Sequence, residues 1–224
     1  MWVARSAPLI GYGHTLVNSP ETTRPYRSTV RREQARRTRA SVLAAAREEF
    51  LVRGYAATTV RAVARRADVS VPTVEQLFGT KRALLAAVVD VTTAGDDEPV
   101  AMLDRPAARA AAGHDDLATF LAAVADLVAT VAARVSGVHA VVDAAAAGDP
   151  AIADLAREID RRRRVIAMWI VDGVAARGAL RAGRDDAVDT AAVLLDPVVH
   201  RRLSRSGTAY AAWLADALTR LLVD

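Results

Sequence analysis

The chain contains no cysteine. Disulfides and thiolate metal sites are therefore excluded, and a reducing cytoplasm is compatible. Aromatic residues make up only 4% of the 224 residues, and Lys81 is the only lysine. The apolar content of 52% is carried by alanine, valine and leucine, and alanine and leucine favour helix. No strand-type alternation of useful length is present, nor any internal repeat. Long uncharged apolar runs are also missing. A long stretch without Lys or Arg in the C-terminal half, "DDLATFLAAVADLVATVAA", keeps Asp126 in its middle and is alanine-rich. A membrane span needs about 20 predominantly apolar residues, so none is expected. The first 20 residues lack the continuous apolar region of a signal peptide, and a cytoplasmic protein is expected.

What is present is helix, unevenly charged. Residues 1–94 hold 15 Lys/Arg against 7 Asp/Glu, and residues 95–224 hold 15 against 19. A basic front and a mildly acidic back suggest that the front meets a polyanion, although a solvated basic face has the same composition.

Residues 1–30 show no period and read as a flexible extension. From Arg31, "RREQARRTRASVLAAAREEFLVRG" places Val42, Leu43, Ala46 and Phe50 on one helical face, with Gly54 as the stop. "TTVRAVARRA" predicts a short second helix capped by Thr59, with Val60, Val63 and Ala64 inward. Asp68 stands where the chain must turn, and aspartate tolerates a left-handed backbone. Ser70 can cap a third helix, "VPTVEQLF", in which Pro72 is allowed because it lies in the first turn. Gly79 ends that helix, and Thr80 caps a fourth that carries Leu84, Leu85 and Val88. Two short helices joined by three or four residues, with a supporting helix, form a helix-turn-helix.

The C-terminal part, 94–224, follows a break at "AGDDEPV". Its expected helices are 99–112, 115–135, 137–146, 150–177, 185–203 and 207–223. The fold class expected is all-α: a domain at 31–93 with the helix-turn-helix, and a larger helical domain at 94–224.

In a helix-turn-helix the second helix enters the major groove. Ser70 and Thr73 can donate to phosphates or base edges, Val71, Pro72 and the Thr73 methyl can touch thymine methyls, and Gln76 can pair with adenine. Arg61, Arg65, Arg66 and Lys81 can neutralise a phosphate track, aided by helix N-termini. Arginines 31, 32, 36, 37 and 39 can form a basic arm.

Residues 35–92 resemble the N-terminal domain of TetR-family transcriptional regulators. Ala45, Phe50, "GYAATTVRAVARRADVSVPTV", Phe78, Lys81, Leu84 and Leu85 carry the resemblance. "ARGALRAG", "LLDPVVHRRL" and "YAAWLADALTRLL" are similar in layout to that family's ligand-binding and dimerisation domain. The resemblance implies a homodimer that binds a palindromic double-stranded DNA operator, usually as a repressor, and leaves it when a small-molecule effector binds. It implies phosphate contacts at Thr59 and Lys81 and operator contacts from Ser70, Val71, Pro72 and Thr73. Two positions depart from the family: Asp68 replaces a common glycine, and Glu75 replaces a backbone-contacting tyrosine. A carboxylate near phosphate is repulsive. A helical small-molecule-binding protein without operator binding is the alternative that Glu75 motivates.

Phe120, Leu127, Val142 and Trp169 are candidates for a ligand pocket. Leu195, Val199, Trp213, Leu214 and Leu218 are candidates for the dimer interface. His139 and Asp143, at i and i+4, form a possible metal pair without a third ligand, so neither a metal nor another cofactor is expected. "RRRR" at 161–164 reads as a solvated face, with an anion contact in a pocket as the sharper reading. No nucleophile–base or paired-carboxylate spacing stands out, so no enzyme is expected.

Overall fold

The first helix ends because glycine permits what other residues resist. The structure, a computed structural model, describes residues 23–224, with side chains from Val30 onward. Helix α1 (Thr23–Ala57) is interrupted at Gly54, whose φ of 72° and ψ of 173° are not helical. The helix begins eight residues before Arg31, so residues 23–30 of the expected extension are helical. The expectation for residues 1–22 lies outside the described residues.

Residues 23–36 form one unit, in which Arg36 pairs with Glu33. The remaining description concerns residues 37–224, the other unit.

Short helices follow from side-chain caps. Thr59 accepts from the Ala62 N–H at 3.1 Å and starts α2 (Val60–Arg66). Ser70 accepts from the Thr73 N–H at 3.3 Å and starts α3 (Val71–Phe78). Thr80 accepts from the Ala83 N–H at 3.1 Å and starts α4 (Lys81–Ala94). Each cap satisfies a donor that the first helical turn leaves without a partner. Asp68 has φ 55°, the left-handed conformation expected at the turn.

After α4 come a single 3-10 turn (Met102–Asp104), α5 (Pro106–Ala112), α6 (Leu117–Ala146), α7 (Pro150–Ala175), α8 (Arg184–Leu194), α9 (Pro197–Arg205) and α10 (Tyr210–Leu222). Three boundaries differ from the sequence expectation. The segment 99–105 is not α-helical; α5 starts at Pro106. Helix α6 runs unbroken through Ser136 and Gly137, where Gly137 lets Leu51 of α1 approach closely. The expected 185–203 helix is two helices, because Asp196 caps a new one and Pro197 occupies its first turn. By length and composition α6 could cross a membrane, with a mean hydropathy of 1.7 in its most apolar window, yet Phe120, Leu121, Val124 and Ala125 of α6 are buried among its neighbours. No strand forms among the described residues; Leu180 and Val223 make one isolated bridge.

Two apolar clusters result. In one, Val42 and Phe50 of α1, Val63 of α2, Val74 of α3 and Leu84 and Leu85 of α4 meet Val142 of α6 and Ile152 and Leu155 of α7. The helix-turn-helix is thus cemented onto the ends of two long helices. The other joins α6, α7, α8 and α10 around Phe120, Ile170, Val174, Leu214 and Leu218.

Candidate nucleic-acid interface and internal cavity

The third helix has one buried residue, Val74. Helical spacing then turns Pro72, Glu75 and Gln76 outward, and all three are exposed. Thr73 and Val71 are half-buried at the flanks. The Ser70 and Thr73 hydroxyls lie 2.8 Å apart and share a hydrogen bond, which holds both at the N-terminal end of α3. Thr59, Arg61 and Arg37 are exposed. Glu75 shares the outward arc, and its carboxylate has no partner among the described residues.

The arginines divide into two sets. Arg61 and Arg65 are exposed, with no hydrogen bond or ion pair among the described residues, so both are available to an anion. Arg66 is not. Its Nε donates to Glu49 at 2.7 Å and an Nη donates to Glu48 at 2.6 Å. Glu49 is 2% exposed, and the hydrogen bond from Arg66 holds its carboxyl below the usual carboxylate range. Arg39 is likewise engaged: its Nε donates to Asp97 at 2.7 Å, and its guanidinium lies 4.8 Å above the Phe78 ring.

Lys81 is tied inward. Its ammonium donates to the carbonyls of Tyr55 at 2.9 Å, Thr58 at 3.1 Å and Ala56 at 3.5 Å, and sits 4.2 Å from the Tyr55 ring centre. Three N–H donors are thereby aimed at the carbonyl end of α1, where positive charge is favoured. In this conformation Lys81 braces the corner between α1 and α2 rather than projecting its charge outward.

Beneath this platform lies a cavity of about 770 Å³. Its walls are the C-terminal half of α4, the 96–103 segment, α6, α7 and the start of α9. Leu127 and Trp169 line it. Phe120 and Val142 do not, which corrects two of the four pocket candidates. Phe120 is 1% exposed, pressed against Gly173, with the Arg177 guanidinium 4.3 Å over its ring. It supports the cavity from behind, meeting Trp169 edge-on at 5.8 Å. Val142 is sealed into the helix-turn-helix cluster. The main wall residues that sequence reading missed are those of 96–103, because an irregular segment carries no period.

The four successive arginines are all paired. Arg161 and Arg162 bind Glu158, Arg162 also binds Asp90 of α4, Arg163 binds Asp160 and Asp196, and Arg164 binds Asp189. Arg162 and Arg163 reach the cavity, but with their charges compensated. His139 also lines it, and burial, reinforced by Arg163, pushes its imidazole down to about 4. Asp143 is exposed, and no group of three or more metal-ligating side chains occurs among the described residues. His200 meets two serines, Ser204 at 3.3 Å within its own helix and Ser136 of α6 at 3.0 Å. Ser136 donates its proton to the Ala132 carbonyl and lies outside the cavity, so its contact with His200 locks α6 to α9 rather than arming a nucleophile.

The dimer candidates require correction. Leu195, Leu214 and Leu218 are 7%, 0% and 0% exposed within one chain, so they build its own core and cannot meet a partner. Val199 and Trp213 are half-buried. The exposed apolar positions on these helices are Val193 at 66% and Leu221 at 48%.

Residues 42–88, the span from α1 through the helix-turn-helix into α4, match the family model of bacterial regulatory proteins, tetR family. No curated protein matches the chain in sequence. Among solved structures, a mutant of the protein HlyIIR is similar at 15% identity and a TM-score of 0.60, covering 86% of this chain and 97% of that one. A protein of Mesorhizobium loti described as a TetR-family transcriptional regulator is 17% identical, with a TM-score of 0.56 over 83% and 93%. NalD of Pseudomonas aeruginosa, the secondary repressor of the MexAB-OprM multidrug efflux pump, is 18% identical, with a TM-score of 0.56 over 83% and 96%. At such identities the likeness is one of fold. Fold and site together define a helix-turn-helix DNA-binding transcriptional regulator. The family match concerns residues 42–88, the helix-turn-helix segment, and the solved structures extend the likeness of fold to the rest of the chain.

Proposed function

We propose that the protein is a cytoplasmic, homodimeric repressor that binds a palindromic operator and leaves it when a small molecule fills the cavity. Residues 31–93 read DNA, and residues 94–224 sense the effector and dimerise. Thr59, Arg61, Ser70, Val71, Pro72, Thr73 and Gln76 face the operator, and Arg37 contributes to a basic arm. The outer apolar positions Val193 and Leu221, flanked by Val199 and Trp213, form the seam between subunits.

The observation that carries the reading is that one helix serves both sites. Helix α4 begins at Lys81, which braces the corner before the reading helices, and ends in the cavity wall at Val89, Val91 and Ala94. A ligand that favours a displaced α4 separates the two α3 helices from the spacing of about 34–36 Å that successive major grooves require. Such a ligand acts only through its difference in affinity for the two states.

Fluorescence anisotropy against the DNA flanking its own gene, at two salt concentrations, tests the reading. Sequence-selective binding that weakens with salt supports it. Equal binding to all DNA, or none, rejects it and favours the alternative that unpaired Glu75 motivates: a helical ligand-binding protein without operator binding.

A further inference from the structure

The cavity has an acidic rim, with Asp90, Asp96, Asp97 and Glu98 among its walls. Composition alone would assign it a cationic ligand. The pairing reverses that assignment. Asp90 is held by Arg162 at 2.7 Å, Asp96 by Arg105 at 2.7 Å and Asp97 by Arg39 at 2.7 Å. Arg105 holds the Asp96 carboxyl so firmly that it titrates at about 2. The two wall arginines are matched in turn, Arg162 by Glu158 and Arg163 by Asp160 and Asp196. A charged ligand would lose its hydration on entry without finding a counter-charge that is free, which is costly.

Uncharged polarity is just as scarce. The Thr93 hydroxyl donates to the Val89 carbonyl within its own helix. Two wall side chains have polar atoms without a hydrogen-bond partner among the described residues: the Trp169 indole, which is a donor only, and His139, which offers both a donor and an acceptor. His139 lies at one end of a long slot: the α6 wall runs from Leu127 to His139, twelve residues or roughly 18 Å at the helical rise. Between these ends the wall is apolar, with Val131, Val135, Ile166 and Trp169.

We propose that the cavity binds an uncharged, elongated lipophile with a single hydroxyl or carbonyl group, which hydrogen-bonds to His139 while the hydrocarbon lies along α6 toward Trp169. This assignment rests on the reading of the cavity as the effector site, and it concerns binding alone.

The test uses the full-length protein without DNA. The uncharged dye Nile red is bound, and decan-1-ol, decyltrimethylammonium and decanoate compete for it below their micellar concentrations. The alcohol is expected to displace the dye at concentrations at least about tenfold lower than either ion. His139→Ala is expected to weaken decan-1-ol about fivefold, the usual size of one hydrogen bond, once the competition is corrected for the dye affinity measured in that variant. His139→Gln, which keeps a donor and an acceptor, is expected to restore most of the loss. Competition by either ion equal to that of the alcohol, failure of the dye and all three competitors to bind, or an unaltered alcohol affinity in a folded His139→Ala protein overturns the proposal. If the alanine variant does not fold, the charge comparison in the unaltered protein decides. A separate anisotropy titration with decan-1-ol keeps the two readings apart: binding without release of DNA defeats the repressor mechanism and leaves the ligand assignment standing.

Discussion

Arg39 and Asp97 join two parts of the protein that lie 58 positions apart in the chain. The guanidinium donates to the carboxylate at 2.7 Å and 3.4 Å, and the same guanidinium lies over Phe78 at the end of the reading helix. Asp97 is also part of the cavity wall. One side chain therefore touches both the helix-turn-helix and a wall residue of the cavity. Each partner is 33% exposed, which limits what the pair contributes. Arg39→Ala is expected to cost about 1 kcal/mol, the sum of a partly exposed ion pair and a modest cation–π contact. Thermal unfolding of Arg39→Ala, Asp97→Ala and the double variant measures it. Additive losses would show that the two residues do not work as a pair.

Glu49 is a buried carboxylate between Arg66 and Arg53, at 2.7 Å and 2.8 Å. Its folded-state pKa is depressed, chiefly by the hydrogen bond from Arg66. The stability it contributes is present above the unfolded-state value and is lost as the pH falls through the folded value. Glu49→Gln is expected to flatten the acid limb of the stability curve and leave its slope near neutrality alone. Arg66→Ala is expected to destabilise the protein at neutral pH, less than the loss of a fully buried pair because Arg53 remains beside Glu49. Urea titrations across the acid range provide the comparison, and identical acid limbs would exclude this role for Glu49.

Lys81 and Thr73 are expected to fail in different ways. Thr73→Ala removes a half-buried hydroxyl at the start of α3 and is expected to weaken operator binding about tenfold with little change in melting temperature. Lys81→Met removes the brace on three carbonyls and is expected to lower the melting temperature by several degrees as well. Anisotropy and calorimetry on both variants separate the effects. Equal stability of the two variants would mean that Lys81 serves DNA alone.

The exposed arginines should appear in the salt dependence. Each phosphate neutralised contributes about 0.9 to the slope of log affinity against log salt. Arg61→Ala with Arg65→Ala is expected to flatten that slope by about two. Arg66→Ala, whose charge is already matched by Glu48 and Glu49, is expected to leave it nearly unchanged.

Gly173 faces the Phe120 ring, and a Cβ there would lie 2.8 Å from Phe120 Cε1. Gly173→Ala is expected to destabilise the protein by about 1–3 kcal/mol through overpacking. It also pushes Phe120 against Trp169, so the tryptophan emission is expected to shift. A melting temperature equal to that of the unaltered protein would refute the close approach.

Local rules carried the N-terminal domain. Thr59, Ser70 and Thr80 cap helices because hydroxyl oxygens accept first-turn N–H groups. Gly54 ends a helix by its backbone freedom, and the apolar spacing of Val42, Leu43, Ala46 and Phe50 marks a face that is buried. All of this lies within a few residues of chain, where sequence is a sufficient guide. Beyond that range, periodicity showed which residues are apolar without showing what covers them. Leu214 and Leu218 read as an interface and are core, while Leu221, one residue from buried Leu222, is exposed. The same local evidence missed the break at Asp196–Pro197, where the apolar pattern continues across two helices.

The sequence by itself determined an all-α chain, the positions of the helix-turn-helix and its caps, and the imbalance of charge between the two parts. Tertiary structure decided which charges remain available: Arg61 and Arg65 have no hydrogen bond or ion pair among the described residues, while Arg39, Arg66, Lys81 and the arginines at 161–164 are occupied. It also decided that a cavity exists, that Leu127 and Trp169 line it, and that Phe120 and Val142 do not. The reason is physical. Capping and periodicity act over one or two helical turns, whereas ion pairing and enclosure depend on which distant helices meet, and no short stretch of sequence contains both partners.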